Sequence, residues 1–178
     1  MTATVAAARR PDATEFAPFY AGYVAGVPEG DIISILHRDG DEWQRVLAEL
    51  PEARGDHRYA EGKWSIKQVV GHVSDAERIL TYRALRVARG DRTPLASFDE
   101  NAYAETAGSD RRTLSALAAE LKAVREATLA LFNSLPEDAW TRTGTASEKT
   151  VSVRALAYIT AGHAQHHLKI LRERYLRL

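Results

Sequence analysis

Four long stretches of this chain carry apolar residues at the spacing of a single helix face. They cover residues 31–50, 66–89, 110–135 and 157–171, and the rest of the sequence shows no convincing series of strands. An amphipathic helix must bury its apolar face against another element, and four such helices do so most simply against one another. The sequence therefore predicts an all-α fold, and more specifically a four-helix bundle.

Residues that favour helix ends support these boundaries. Ser65 and Gln68 have the spacing of a capping box before the second helix, and Gly90 is suited to stop it. The caps expected for the other helices are Asp31 for the first, Ser109 or Asp110 for the third, and Thr150 or Ser152 for the fourth. The connectors at residues 91–109 and 140–149 are polar and rich in turn-forming residues, so we expect them to be loops.

The chain has no Pro- or Gly-rich linker and no clear shift in composition along its 178 residues. A chain of this length can bury a sizeable core, so we expect a single domain. Residues 11–30 mix prolines and glycines with aromatic residues, which is too broken for a long helix and too aromatic for disorder. We predict an ordered N-terminal arm over residues 1–30, packed on a bundle formed by residues 31–178.

The composition argues against several kinds of function. The 24 basic residues balance the 24 acidic ones, which gives no electrostatic reason to expect a nucleic acid or an anionic membrane as a partner. Without cysteine, the chain has neither disulfides nor a thiol nucleophile, and any metal ligands must be nitrogen or oxygen atoms. No segment has the pattern of a secretory leader or approaches the roughly 18 apolar residues that span a bilayer, so we expect a cytoplasmic protein.

Three of the six histidines lie in the fourth predicted helix. His163 and His167 are four residues apart, so their rings share one face, and this face is apolar. His166 lies off that line and is expected to be solvated. His72 occupies the apolar face of the second helix, and in a bundle it can meet the other pair. The three rings are either core side chains hydrogen-bonded to hydroxyl or carbonyl groups, or ligands of one metal, and their convergence favours the metal.

Three histidine ligands leave a fourth position for water or substrate, as in a catalytic zinc site. Other metal templates fail at single residues. A zincin protease needs Glu directly after the first His of the pair, where this chain has Ala164. A di-iron bundle needs Glu three residues before a His, where this chain has Thr160. The pattern therefore favours an open site formed by His72, His163 and His167.

Asp75 is a candidate for a further catalytic residue, because it follows His72 by three residues on the second helix. It can orient a ligand or act as a base, or it can pair with Arg78 on a solvated edge, and both interpretations stay open. Glu77 is expected at the surface. The aromatic residues expected to pack in the core or the arm, rather than to contact a substrate, are Tyr20, Tyr23, Trp64 and Trp140.

Three segments carry a resemblance to a known family. They are Gly62-Lys63-Trp64-Ser65-Ile66-Lys67-Gln68-Val69-Val70-Gly71-His72, then Phe98-Asp99, then Ala161-Gly162-His163-Ala164-Gln165-His166-His167. With the aromatic arm, they resemble the DinB/YfiT-like superfamily of metal-binding four-helix bundles over nearly the whole chain. The resemblance implies that His72, His163 and His167 bind a divalent metal, often zinc or nickel. It also implies a homodimer and a small-molecule substrate.

For characterised relatives, this resemblance implies transfer of a low-molecular-weight thiol, such as bacillithiol or mycothiol, onto an electrophile. Many other members are named only as metal-dependent hydrolases. A three-histidine metal suits both reactions, because it can stabilise the thiolate of a bound thiol or lower the pKa of a bound water to about 7. We expect thiol transfer, with metal-dependent hydrolysis as the alternative. A dimeric bundle with a purely structural metal and a metal-free binding module remain as non-catalytic alternatives.

Overall fold

The computed structural model of the protein describes residues 8–176, which leaves residues 1–7 of the predicted arm and 177–178 of the predicted bundle outside the described part. Four long helices confirm the predicted bundle, and two short helices accompany them within residues 8–176. The bounds are Ala21–Gly26 (α1), Ile32–Ala48 (α2), Ile66–Ala88 (α3), Glu100–Thr106 (α4), Leu114–Asn133 (α5) and Val153–Ile170 (α6). A π-helical segment, Leu171–Leu176, continues the last helix. No helix in the described residues is long and apolar enough to cross a membrane.

Side-chain caps start three of the long helices where the sequence predicts them. The Asp31 carboxylate accepts a hydrogen bond from the amide three residues later (2.9 Å), and the Ser152 hydroxyl does the same at α6 (3.0 Å). Ser65 and Gln68 form the predicted capping box at α3, with bonds of 3.1 and 3.0 Å. Gly90 follows α3 with a φ of 78°, a conformation that favours glycine at a helix end. These local signals fix which residues of each helix face inward.

The predicted cap of the third long helix was wrong. Ser109–Arg111 form a short 3₁₀ turn, and α5 begins after Thr113, whose hydroxyl accepts a hydrogen bond from the amide three residues later (3.1 Å). Asp110 instead accepts a hydrogen bond from the Ser65 hydroxyl. Its carboxylate therefore ties this connector to the start of α3, a tertiary role that competes with capping.

The two connectors that we expected to be loops contain regular structure. Helix α4 lies in the first, capped by the Asp99 carboxylate, which accepts two amide hydrogen bonds (2.9 and 3.1 Å). The second contains an antiparallel hairpin of β1 (Thr143–Ala146) and β2 (Lys149–Ser152). Ser147 and Glu148 form its tip with φ values of 51° and 63°, a conformation that usually selects Gly or Asn. Because neither Gly nor Asn stands at the tip, the sequence gives no local signal of the hairpin.

The core consists of two apolar clusters that meet near the middle of α3 and α6. In α6, members of the first cluster end at Ala161 and members of the second begin at Ala164. In α3, members of the second cluster end at Val73 and members of the first begin at Leu80. Residues between these limits, including His163, therefore form a more polar level across the middle of the bundle.

Glu77 does not lie at the surface, contrary to the sequence prediction, but is buried at this level. Its carboxylate accepts two hydrogen bonds of 2.7 Å from the Arg125 guanidinium, and the two side chains are only 2% and 4% exposed. Arg125 also donates to the Leu36 carbonyl (2.6 Å), so the pair links α2, α3 and α5. Gly40 in α2 leaves room for this side chain, since a Cβ there would lie 2.9 Å from the Arg125 Cγ.

The described part of the N-terminal arm packs along α6. Arg154, at the start of α6, donates from its Nε to a carboxylate oxygen of Glu15 at 2.7 Å. Burial alone would raise the pKa of Glu15, but hydrogen bonds from Arg154 and Ser152 lower it to about 2. The charged form of Glu15 is therefore the one that holds the arm in place.

Replacing Glu15 by Gln is expected to lower the free energy of unfolding at pH 7 by about 1–2 kcal/mol. A carboxylate whose pKa is lower in the folded state stabilises the fold above its unfolded value of 4.5, and this contribution is lost as pH falls to about 2. Denaturant unfolding should therefore show a difference between wild type and variant at pH 7 that shrinks towards pH 2.5. Glu29→Gln, at the exposed Arg10 pair, is the control and should have little effect. A difference independent of pH would contradict this account.

Candidate metal centre

The three candidate histidine ligands come together between α3 and α6. His72 lies on α3, and His163 and His167 lie one turn apart on α6. The Nε2 atoms of His72 and His163 are 3.0 Å apart. One ligating nitrogen from each ring lies within 4.8 Å of the corresponding nitrogen of the other two. The bundle thus gathers residues that are separated by about half of the sequence.

All three rings favour the neutral form. Burial lowers the pKa of His72 to about 4. Burial, followed by the charges of neighbouring histidines, lowers the pKa of His167 to about 3 and holds that of His163 well below its ordinary value of 6.5. The neutral imidazole is the form that binds a metal, because a protonated ring has no free lone pair. The site is therefore ready to accept a cation at neutral pH.

The hydrogen bonds around the rings fit a metal better than a core role. Among residues 8–176, no hydroxyl or carbonyl group forms a hydrogen bond with these three rings, and their one such contact joins His72 to His163. A divalent cation would be a partner shared by all three rings. Imidazole nitrogens suit zinc or nickel, whereas calcium and magnesium prefer oxygen. The triad, by which we mean His72, His163 and His167, can therefore bind a metal.

A cavity of about 150 Å³ lies against the triad. Five aromatic side chains line most of it, namely Phe19, Tyr20, Tyr23, Trp64 and Phe98. Aliphatic surface comes from Ala76, Leu80 and Ile159, and Glu100 adds a carboxylate. The triad therefore faces a mostly apolar space of the kind that holds small ligands.

Tyr23 and Trp64 pack directly on the histidine rings. The Tyr23 ring makes an edge contact with His163, with centroids 5.6 Å apart. The Trp64 and His72 centroids are 4.7 Å apart. Tyr23 and Trp64 therefore pack against other side chains, as expected, and they also line the cavity. Both rings therefore form part of the wall directly beside the triad.

Gly162 allows the arm to reach the triad. A Cβ at this position would lie 2.2 Å from the Tyr23 carbonyl oxygen, so α1 and α6 meet backbone to backbone here. This contact holds the Tyr23 ring against His163. Burial, and then the charges of Glu100 and Tyr20, raise the pKa of Tyr23. Tyr23 therefore stays a neutral phenol at physiological pH and can donate a hydrogen bond into the cavity.

Replacing Gly162 by Ala is expected to lower the free energy of unfolding by about 1–3 kcal/mol, because the added methyl group overlaps the Tyr23 carbonyl and forces α1 away. Gly22→Ala is the matched control, since no atom lies within 4 Å of a Cβ added there. That helical position should be neutral or slightly stabilised. Thermal unfolding of both variants checks the prediction, and equal melting temperatures would argue against the close contact.

Asp75 and His166 lie near the triad in sequence but do not line its cavity. The Asp75 carboxylate pairs with Arg78 at 3.3 Å, and burial raises its pKa in spite of this partner. His166 is exposed, as the sequence indicates, and its ring makes an edge contact with Tyr23 at 5.3 Å. The Asp75 contact agrees with the ion-pair interpretation, and a role for Asp75 in orienting a ligand or moving a proton stays a prediction.

Two residues of the cavity wall, Glu100 and Phe19, were not predicted from the sequence. Glu100 follows the Phe98-Asp99 pair, which carries part of the family resemblance, and Phe19 precedes Tyr20. Their positions next to these residues are the only indication in the sequence that Glu100 and Phe19 lie near the site. Neither residue lies on a periodic face of a long helix, so periodicity does not predict the direction of its side chain.

The chain matches a family model and several known proteins. The model of the DinB superfamily matches residues 35–171. A curated relative from Bacillus subtilis (strain 168), named "Putative metal-dependent hydrolase YfiT", is 23% identical over 154 residues, which cover 79% of this chain and 86% of YfiT. The solved structure of YfiT has a TM-score of 0.74 at 20% identity and covers 92% of this chain and 93% of its own.

A second solved structure with the same fold is a mycothiol-dependent maleylpyruvate isomerase. Its TM-score is 0.65 at 18% identity, and the match covers 77% of this chain but only 58% of the isomerase. YjoA, a DinB-like protein from Bacillus subtilis, has a TM-score of 0.60 at 19% identity over 83% of this chain and 91% of its own. Likeness at these identities shows a common fold, while the family model spans well over half of the chain and includes the three histidines. The chain belongs to the DinB superfamily.

Proposed function

We propose that this protein is a metal-dependent enzyme that transfers a low-molecular-weight thiol to an electrophilic substrate at the triad. The observation that carries the proposal is the convergence of three neutral imidazoles on an apolar cavity, in a chain that has no cysteine of its own. A thiol nucleophile must then come from a small molecule. In the reaction, the thiol gives up its proton and its sulfur forms a bond to the electrophilic carbon. Either the leaving group departs with the pair of electrons that bound it and takes up the proton, or, in an addition, the π pair moves onto the neighbouring atom, which takes up the proton.

His72, His163 and His167 would hold a divalent metal, zinc or nickel, which would act as a Lewis acid and lower the pKa of a bound thiol or water. The protein contributes ligands that stay unprotonated because they are buried. The mostly aromatic wall of the cavity would give a bound thiol largely apolar surroundings. Tyr23 lines the cavity and is our candidate for a hydrogen-bond donor to the electrophile or its leaving group, because its phenol stays neutral.

The comparisons offer support of two kinds. The isomerase that shares the fold depends on mycothiol by its name, which is a precedent for thiol chemistry in this fold. YfiT carries the name of a hydrolase, so hydrolysis of an ester or amide at the same triad is the second candidate. In that reaction Asp75 is our candidate for a general base, although its present partner is Arg78. A structural metal without catalysis is the third candidate.

The test uses untagged full-length protein, stripped of metal and reloaded separately with zinc and with nickel. Metal content is measured by elemental analysis, and a panel of bacillithiol, mycothiol, cysteine and glutathione is assayed with monochlorobimane as the electrophile. An ester and amide panel is run in parallel. We expect metal-dependent thiol conjugation that is lost in His163→Ala and kept in His166→Ala. Activity unchanged in metal-free protein would overturn the proposal, and hydrolysis alone would favour the second candidate.

We also propose that the protein is a homodimer, as the family resemblance implies. Tyr82 and Leu85 are large side chains on α3 that are 51% and 38% exposed in the single chain, and a second copy could cover such surface. Light scattering at micromolar concentration should give about twice the chain mass of 19.7 kDa. A mass of about 19.7 kDa would contradict the dimer.

A further inference from the structure

The wall of the triad cavity has an uneven distribution of charge. Among the described residues that line it, none is Lys or Arg, and Glu100 is the one carboxylate. The guanidinium of Arg83 lies 6.0 Å from the ring centroid of Phe98, which lines the cavity. Arg83 is itself buried and donates to the Ala96 carbonyl (2.7 Å) and the Ser147 hydroxyl (3.2 Å), outside the cavity wall. The cavity therefore offers an anionic group and no cationic side chain to a ligand.

The Glu100 carboxylate is not needed by the helix on which it lies. It stands in the first turn of α4, where the helix amides are already capped by Asp99 at 2.9 and 3.1 Å. Within residues 8–176, Glu100 takes part in no ion pair or side-chain hydrogen bond, whereas other carboxylates near the site, such as Asp75, have an arginine partner. Glu100 is exposed, while the triad lies deeper, so it occupies the outer end of the cavity.

Three aromatic rings of the cavity wall form one cluster. Phe19 makes edge contacts with Tyr20 and Tyr23, with centroids 5.3 and 6.3 Å apart. All three rings line the cavity together with Glu100. The faces of aromatic rings attract organic cations, and a carboxylate among such rings adds a full opposite charge. This combination suits an ammonium group and repels a carboxylate or phosphate.

We propose that Glu100 and the rings of Phe19, Tyr20 and Tyr23 bind the primary ammonium group of the thiol whose sulfur lies at the triad. The inference rests on the proposed thiol-transfer function and narrows its substrate class to aminothiols. The two ends of the cavity have opposite preferences, with a soft anion favoured at the triad and a cation favoured at Glu100. A cavity of about 150 Å³ is of the size that holds a small aminothiol.

The test compares cysteamine with N-acetylcysteamine, which has the same thiol but no positive charge. Binding to zinc-loaded, full-length protein is measured by calorimetry at pH 7 and low salt. A cation held by a carboxylate and aromatic faces at a partly exposed site should make cysteamine bind about fivefold to tenfold more tightly. The preference should fall to about twofold at 0.5 M salt, since exposed charges are screened.

Two variants complete the experiment. Glu100→Gln should abolish the preference for cysteamine while elemental analysis shows unchanged zinc content. Glu105→Gln, which removes an exposed carboxylate from the same helix outside the cavity, should keep the preference. Equal binding of the two thiols to wild type, or a preference that survives Glu100→Gln, would overturn the ammonium site and leave thiol binding intact. If neither thiol binds zinc-loaded protein, the thiol-transfer function itself fails, and the ammonium site fails with it.

Discussion

Alanine in place of His72, His163 or His167 is expected to lower the affinity of the protein for zinc by more than about 100-fold in each single variant. Loss of a residue that merely supports a ligand costs about 10–100-fold in affinity, and each of these residues would supply one of the three protein nitrogens directly. Equilibrium dialysis against a zinc buffer, followed by elemental analysis, gives the affinity. Wild-type protein should retain about one zinc per chain under conditions in which the variants retain almost none.

The other three histidines provide matched controls. His166 is exposed beside the triad, and His37 pairs with Asp41 at 3.1 Å on the surface. His57 contacts Tyr175, with ring centroids 6.2 Å apart, and does not line the cavity. Alanine at any of these positions should leave zinc affinity unchanged within about twofold. Equal zinc content in wild type and all three triad variants would show that the triad does not bind the metal.

Removal of the metal from wild-type protein distinguishes a catalytic metal from a structural one. The two apolar clusters that form the core do not depend on the triad, so metal-free protein should keep its helical circular dichroism. A bound metal stabilises only by mass action, so its removal should lower the melting temperature without unfolding the chain at 25 °C. Collapse of the helical signal on chelation would instead favour a structural metal.

The bundle and the triad were predictable because both follow from helix periodicity. Apolar residues three and four apart define the inward faces of the long helices, and His72, His163 and His167 fall on those faces. Short-range capping signals, as at Ser65, then fix where a helix begins and therefore the phase of its faces. Each of these steps needs only neighbouring residues, which is the information that one sequence contains.

Features that depend on distant partners were not predictable in the same way. The hairpin turns at Ser147 and Glu148 without the Gly or Asn that this backbone conformation favours, and Asp110 bonds to Ser65 instead of capping α5. Glu100 lines the cavity, but it lies in a connector whose sequence shows no helical periodicity of apolar residues. In each case the conformation is set by tertiary contacts that override the local preference of the residue.

Glu77 is an intermediate case. It lies four residues after Val73 and three before Leu80, so periodicity places it on the inward face of α3. The expectation of a surface position followed from residue type, because carboxylates are rarely buried without a partner. Its partner, Arg125, is 48 residues away on α5. Helix periodicity therefore predicts that Glu77 faces inward, but the sequence does not predict the ion pair with Arg125 that stabilises the buried carboxylate.

Replacing Glu77 by Ala is therefore expected to lower the free energy of unfolding by about 3–5 kcal/mol, the largest stability effect that we predict for a single side chain of this protein. The variant leaves the Arg125 guanidinium buried, and among residues 8–176 the Leu36 carbonyl is then its one remaining hydrogen-bond acceptor. Urea unfolding followed by circular dichroism measures the loss. Glu126→Ala is the control, because its pair with Lys122 is exposed and 3.9 Å long, and its effect should stay below about 0.5 kcal/mol.

A double variant, Glu77→Leu with Arg125→Met, identifies the cause of that loss. If the destabilisation comes from an uncompensated buried charge, the double variant should recover most of the stability, because apolar groups of similar volume can replace a buried ion pair at little cost. If the pair instead stabilises the bundle through its three hydrogen bonds, the double variant should stay about as unstable as Glu77→Ala. A loss below about 1 kcal/mol in Glu77→Ala would contradict both accounts, since it would mean that water reaches the Arg125 guanidinium in the folded bundle.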